Sequence, residues 1–490
     1  MLRFRNRFTE MNNEENIRLW RSYMELLNTV VGFMNTMLWS YVLIFMLIGL
    51  GIYFTVRSGF VQFRLFGEMF RLLTENVTAS VSGKKQEGVS PFQAFCISTA
   101  SRVGTGNLAG VALAIAVGGP GAVFWMWLIA LIGAASAFVE STLAQIYKVR
   151  DPQGFRGGPA YYMEQALGAR WMGVIFSVLI TLCFGLVFNA VQSNTITYAF
   201  NEAFGLNRFT MGLFITAVTA LVIFGGVKRI AKVAEVIVPV MAIAYVLVAS
   251  YILVSNITMI PSIFALIVKS AFGIEQAVGG GIGIAMMQGI KRGLFSNEAG
   301  MGSAPNAAAT ATTSHPVKQG LIQTLGVFTD TLLICSATAF VILISGVYAD
   351  TSLTGIQLTQ NAMSSQVGAW GTIFIAACIL MFAFSSIIGN YYYGESNIEF
   401  INTNPIWLFL YRIAVVGMVL FGSVSKIAIV WDLADLFMGL MAFINLIAIA
   451  LLGKIAFVAL KDYLDQKKEG IDPVFSKSLM IELDKIECWK

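Results

Sequence analysis

The chain is short of charge. Only 12% of its 490 residues are Asp, Glu, Lys or Arg, about half the share in a soluble domain. With 57% hydrophobic residues and a mean hydropathy of +0.75, there is too little polar surface to clothe a water-soluble fold. Histidine is nearly missing, and the single copy, His315, excludes a His/Cys metal cluster. The five cysteines form no pattern: Cys96, Cys183, Cys335 and Cys378 lie in apolar stretches, Cys488 lies in the tail, and no CxxC occurs. A long basic run is also lacking and the net charge is only +5, which argues against a nucleic-acid partner. No cleavable leader is expected, because the first apolar run starts near residue 36 and is too long for a signal segment.

What the chain has is long apolar runs. Eleven are long enough to span a bilayer as helices: roughly 36–56, 91–117, 121–147, 172–200, 209–227, 234–255, 271–291, 320–346, 370–394, 405–424 and 431–453. Lipid satisfies no backbone polar group, and the alternation of barrel strands is absent, so the expectation is an all-α polytopic membrane protein. Residues 1–35 read as a polar extension, 36–455 as the transmembrane domain and 456–490 as a cytoplasmic tail. Basic residues sort to one side of this topology: Arg57, Arg64, Arg71, Lys84 and Lys85, then Lys148, Arg150, Arg156 and Arg170, then Lys228, Arg229 and Lys232, then Lys291, Arg292 and Lys318. That asymmetry puts the N-terminus outside and the C-terminus in the cytoplasm, although the arginines before the first span oppose it.

Two apolar runs carry interruptions. "SRVGTGNLAG", residues 101–110, places Gly104, Gly106 and Gly110 beside Asn107 and Arg102. Glycines weaken a helix, and a break bares peptide groups that are tolerated only in a protein-lined or watery cavity. "AFGIEQAVGGGIGIAMMQGI", 271–290, holds Gly279, Gly280, Gly281 and Gly283. Setting the first span aside, these are core helices 1 and 6 of ten. Interruptions five helices apart fit an inverted repeat of five plus five, with the binding site between the breaks. Close packing through small residues is the competing account of either patch.

Other polar groups fall on spans. Gln192 in "FNAVQSNTITY" can hydrogen-bond a small zwitterion or a neighbouring helix. Ser385 and Ser386, one turn from the carbonyl of Phe382, offer hard oxygen ligands to a small cation, or bond back to their own helix. Asp330 is the most deeply set carboxylate, and its role is open. The polar loop 291–318, with Glu298 among glycines, reads as a packed gate element or as a tight loop needing positive φ. The segment 150–168 reads as a re-entrant or interfacial helix.

Taken together, "VGTGNLAG" (103–110), "GGPGAVFWMWLIALIG" (118–133), "FRGGPAYYM" (155–163), "GLFSNEAGMGSAP" (293–305) and "DTLLICSATAFVILISG" (330–346) resemble the alanine or glycine:cation symporter family, from about residue 36 to 455. The resemblance implies a sodium-coupled symporter of small neutral amino acids in the inner membrane. It implies eleven helices, ten of them in the fold shared with neurotransmitter:sodium symporters. Carried over, Thr105, Gly106 and Asn107 would line the carboxylate end of the substrate. Gly279, Gly280 and Gly281 would receive the amino group, and Gln192 would close the pocket. A sodium ion would sit between the carbonyls of Ala100 and Val103 and the hydroxyls of Ser385 and Ser386. Asn390 stands in "GNYYYGE" where the family commonly has Trp, which opens glutamine or serine as substrates. Arg102 stands where many members are uncharged, and a fixed guanidinium there would replace a second sodium.

The expected mechanism is alternating access, driven by the membrane potential at about 2.3 kcal/mol per charge per 100 mV. No cofactor is expected beyond the coupling sodium, and no enzymatic activity. A proton-coupled carrier using Asp330 or Glu275 is the nearest alternative.

Overall fold

The computed structural model describes residues 26, 28–75, 88–152, 154–273, 281–479 and 486–489. In chain order its main helices are α1 (Asn28–Arg57), α2 (Pro91–Arg102), α3 (Gly106–Gly118), α4 (Gly121–Ile146), α5 (Arg170–Phe204), α6 (Arg208–Ile223), α7 (Arg229–Ser255), α8 (Ile257–Ala271), α9 (Ile282–Asn297), α10 (Pro316–Ser345), α11 (Trp370–Ile401), α12 (Pro405–Val424) and α13 (Val430–Lys468). Among the described residues, eight of these are long and apolar enough to cross a membrane, and nine if α2 and α3 form one bent span. α6 and α8 are shorter apolar helices. A small antiparallel hairpin pairs β1 (Val149–Asp151) with β2 (Gly154–Arg156). The short helix Pro159–Gln165 follows it, within the segment read as re-entrant or interfacial.

The solvent is written on the outer faces. Along α7, Val236, Val240, Ile243, Leu247, Tyr251 and Val254 are all well exposed. Their spacing of three and four residues makes one continuous stripe on the helix. An apolar stripe turned outward is stable against hydrocarbon, while the polar side chains turn inward.

Inside, small residues let helices approach. A Cβ on Gly289 would lie within 2.3 Å of the Ala122 carbonyl of α4, and one on Gly320 within 2.2 Å of Thr142 Oγ1. Close backbone contact is what replaces the hydrophobic effect as the packing force within a bilayer. α1 lies against α13: Asn35 and Trp39 donate to the carbonyls of Asp432 (3.0 Å) and Asp435 (3.2 Å). At the other end of α13, Glu68 of the short helix Phe66–Leu73, which follows α1, accepts from Lys467 (2.6 Å), Arg71 (2.8 Å) and Tyr463. Those cations hold the Glu68 carboxyl at about 2, against the opposing effect of burial.

Two sequence expectations need correction. The run 271–291 is not one helix. α8 ends at Ala271, Gly273 has φ +69°, and α9 starts only at Ile282. Glu275, Gly279 and Gly280 lie outside the described residues. The glycine-rich stretch carries a single charge, Glu275, so it read as part of a span, while 257–270, with Pro261 and Lys269, read as a connection. The last helix also continues to Lys468, beyond the expected 453.

Candidate functional site

α2 begins with a full capping box. Ser90 accepts from the Gln93 amide and Gln93 reaches back to the Ser90 amide, with Pro91 at the first helical position. The helix stops at Arg102, and Val103 leaves helical geometry at φ −81°, ψ 90°. α3 then resumes at an angle of 48°, opening with a wide π-helical turn over Gly106–Gly110. The break is crowded: a Cβ on Gly104 would fall 2.2 Å from Ser386 Oγ and 2.9 Å from Gln192 Oε1.

The amides freed at the start of α3 find side-chain acceptors. Asn107 Oδ1 accepts from the Gly104 amide (2.9 Å), and Gln192 Oε1 accepts from the Thr105 amide (3.0 Å). These oxygens satisfy the amides just before α3, at the positive end of its dipole. A carboxylate ligand would meet the same amides. Asn107 is itself fixed by Asp330, whose Oδ1 accepts from its Nδ2 at 2.6 Å. Asp330 Oδ2 takes the hydroxyls of Ser296 (2.8 Å) and Thr331 (2.9 Å). All these groups are buried.

Beside the break lies a cluster of uncharged oxygens. Ser386 Oγ is 2.9 Å from the Ala100 carbonyl, 3.4 Å from that of Val103 and 3.0 Å from that of Phe382. Ser385 Oγ is 3.5 Å from the Ala100 carbonyl and 2.8 Å from that of Phe382. Carbonyls at the C-terminal end of a broken helix, with hydroxyls opposite, can hold a small hard cation.

The element that faces this break is the far end of α9. A Cβ on Gly106 would meet Phe295 at 3.0 Å and the Ser296 backbone at 3.2 Å. α9 ends at Asn297, and the chain turns through Glu298 (φ +58°), Gly300 (φ +84°) and Gly302 (φ +87°) before the short helix Ala304–Ala309. The opposing interruption is therefore 298–303, within the stretch read as a gate element or positive-φ loop. Its amides are taken by Glu140 of α4, which accepts from Gly300 (3.0 Å), Gly302 (3.1 Å) and Asn445 (2.8 Å).

The expected site residues thus divide. Thr105, Gly106, Asn107 and Gln192 come together at the break. Ala100, Val103, Ser385 and Ser386 come together beside it. Asn390 is one layer away, bonded to Ser101 (2.7 Å) and Asn189 (3.2 Å). Gly281 is exposed at the opposite end of the 16-residue α9, about 24 Å along the axis from Asn297. The remaining walls were not foreseen. Phe295 packs at a tilt between Phe188 (4.5 Å) and Trp431 (4.8 Å), and Trp431 in turn lies under the Arg292 guanidinium. Arg292 and Lys291 pair with Asp435 at 2.6 and 3.2 Å. Such bulky residues within the "GLFSNEAG" and "WDLAD" segments were the available signal.

The chain is 61% identical over 465 residues to the probable sodium/glutamine symporter GlnT of Bacillus subtilis (strain 168), covering 95% of this chain and 96% of that protein. It is 57% identical over 463 residues to the amino-acid carrier protein AlsT of the same organism, covering 94% and 98%. It is 38% identical over 456 residues to the sodium/alanine symporter AgcS of Methanococcus maripaludis, covering 91% and 98%. A sequence model of the sodium:alanine symporter family matches residues 24–477. Matched by the family model over residues 24–477 and by a relative 61% identical over 95% of its length, this multi-pass membrane chain belongs to the sodium:alanine symporter family.

Proposed function

We propose that the chain couples sodium entry to uptake of a small neutral amino acid, alanine or glycine, by alternating access. The observation that carries this reading is the meeting of α3's N-terminus with α9's C-terminus. Freed amides at Gly104 and Thr105 suit a carboxylate, and the orphan carbonyls that end α9 suit an ammonium group. A zwitterion laid across Gly106 would satisfy both, with Asn107 and Gln192 at its carboxylate end. Sodium would be held by the Ala100 and Val103 carbonyls with Ser385 and Ser386.

In this reading the ten helices after α1 form two inverted sets of five, α8 lying outside the count, with the breaks near the midplane. The protein would lie in the plasma membrane, N-terminus outside and C-terminus in the cytoplasm.

A second reading, a glutamine- or serine-preferring carrier, is favoured by two observations. One is the identity of 61% to a protein named a probable sodium/glutamine symporter. The other is the polar Asn390, one layer from the break, where the family resemblance implies that a bulky indole is common. The test is uptake of labelled alanine into proteoliposomes with and without a sodium gradient, competed by glycine, serine and glutamine. Sodium-independent accumulation that follows a pH gradient would overturn sodium coupling. Competition by glutamine well beyond that by glycine would select the second reading.

A further inference from the structure

One hydroxyl in this protein faces two acceptors. Ser101 Oγ, in the last turn of α2, lies 2.7 Å from Glu298 Oε1 and 2.7 Å from Asn390 Oδ1. A serine hydroxyl has a single hydrogen and can satisfy one of them. The other contact would then oppose two oxygens at hydrogen-bond distance inside a buried site, where an unmatched polar contact is costly.

Turning the Asn390 amide over does not resolve the conflict. Asn390 Nδ2 donates to Asn189 Oδ1 at 3.2 Å, and Asn189 is oriented by its own Nδ2, which donates to the Gly185 carbonyl at 2.9 Å. A carbonyl cannot donate, so each amide in the row is fixed in turn. The chain of donors runs from Asn189 to Gly185, from Asn390 to Asn189, and from Ser101 to Asn390. What reaches Ser101 Oγ from Glu298 must itself be a donor. On the other side, Ser303 Oγ lies 2.6 Å from Glu298 Oε2 and donates to it.

We infer that Glu298 is a proton-binding site, protonated on Oε1 in this conformation. The proton joins the end of α2, the interruption after α9 and the middle of α11 through one row of hydrogen bonds. Glu298, Ser101, Asn390 and Asn189 are all buried, Glu298 being 1% exposed. The proton can therefore exchange only when the site opens. Loss of it to water would leave a carboxylate and set the Ser101 bonds to Glu298 and to Asn390 in competition. One of those two must then part.

The charged and titratable groups around Glu298 come from every neighbouring helix. Arg102 on α2 favours the carboxylate and Asp330 on α10 opposes it. Tyr393 on α11 and Cys183 on α5 also interact with its charge. Glu140 on α4 is bound to the amides of Gly300 and Gly302 in the same turn. Arg102 donates from Nη1 to the Gln323 carbonyl at 3.1 Å, its Nε and Nη2 have no partner among the described residues, and no hydrogen bond joins it to Glu298. Its nearness does not change the donor count at Ser101.

The proton itself stands on the hydrogen-bond row, while its effect on transport rests on the symport reading. Infrared spectra of the full-length protein in liposomes at neutral pH test the first without substrate or sodium. The expected result is a protonated-carboxyl C=O band that Glu298→Gln removes and Glu140→Gln does not. A spectrum unchanged by Glu298→Gln overturns the inference. Should that variant fail to fold, Ser101→Ala serves: it should shift the same band, and an unshifted band overturns the inference too. For transport, sodium-driven alanine uptake by the wild type should fall at least tenfold as the pH is raised. Glu298→Gln, which keeps a donor toward Ser101, should flatten that profile, and an identical profile overturns the coupling. Absence of sodium-driven uptake in the wild type at every pH, with the band present, would count against the symport reading and leave the proton site standing.

Discussion

Gln192 gives its side-chain oxygen to the amide of Thr105 at 3.0 Å. The acceptor a carboxylate ligand would supply is thus already provided by the protein. In the proposed reading Gln192 is an internal stand-in that a substrate carboxylate would displace, and it keeps the amide of Thr105 satisfied between ligands. Substituting Gln192→Glu keeps the acceptor and adds negative charge at that helix end. The KM for alanine should rise about tenfold, equivalent to about 1.4 kcal/mol of lost charge-assisted bonding. Concentration-dependent uptake checks this, and an unchanged KM would remove Thr105 from the carboxylate end.

Ser386 touches the carbonyls of both Ala100 and Val103. Ser386→Ala takes one oxygen from the proposed sodium set and leaves the amino-acid contacts in place. The sodium concentration for half-maximal uptake should rise about tenfold, in line with about 1–1.5 kcal/mol for one lost polar interaction. The KM for alanine at saturating sodium should stay within about twofold, a change under about 0.5 kcal/mol. An equal loss in both would place Ser386 in general packing instead.

Gly320 brings α10 against α4, with Thr142 Oγ1 only 2.2 Å from where a Cβ would stand. Gly320→Ala should destabilise the protein by about 1–3 kcal/mol through overpacking. Thermal unfolding in detergent, followed by intrinsic tryptophan fluorescence, reads this as a lower midpoint. An unchanged midpoint would mean that the two helices are free to move apart at this point.

Lys148 lies just beyond α4, buried beside the rings of Phe155 (4.2 Å) and Trp489 (5.0 Å). Its Nζ donates to Gln145 Oε1 and the Ala311 carbonyl, both at 2.8 Å. Burial pushes this lysine down from 10.5 to about 7. Below that value the ammonium is present in folded and unfolded chains alike, and its burial opposes folding. Between about 7 and 10.5 only the unfolded chain keeps the proton, so stability rises with pH across that window. The midpoint of unfolding should therefore climb on the alkaline side, and Lys148→Met should remove the climb. A wild-type midpoint that falls over the same range would contradict the shift.

How far the sequence can be read depends on the kind of signal. The break at 103–105 was legible because three glycines and an asparagine stand out inside an apolar run. The pairing of Ser385 and Ser386 with Ala100 and Val103 came from the resemblance, and the fold brings these residues together. The facing break at 298–303 was misplaced. Glycines at 279–283 gave the louder local pattern, while "SNEAGMG" looked like a polar loop. What buries that loop is the packing of α4 and α13, through Glu140 and Asn445, and contacts between residues so far apart leave no mark in local composition. The row from Ser101 to Asn189 was invisible for the same reason: it joins residues from four separate parts of the chain.

The first and last long helices meet near both ends, at Asn35 and Trp39 near one and at Phe54 and Arg57 against Phe457 near the other. A pair held at two points resists hinging. It forms a splint along one flank of the molecule, so any rocking of the bent segment must take place against it, like a door against its frame.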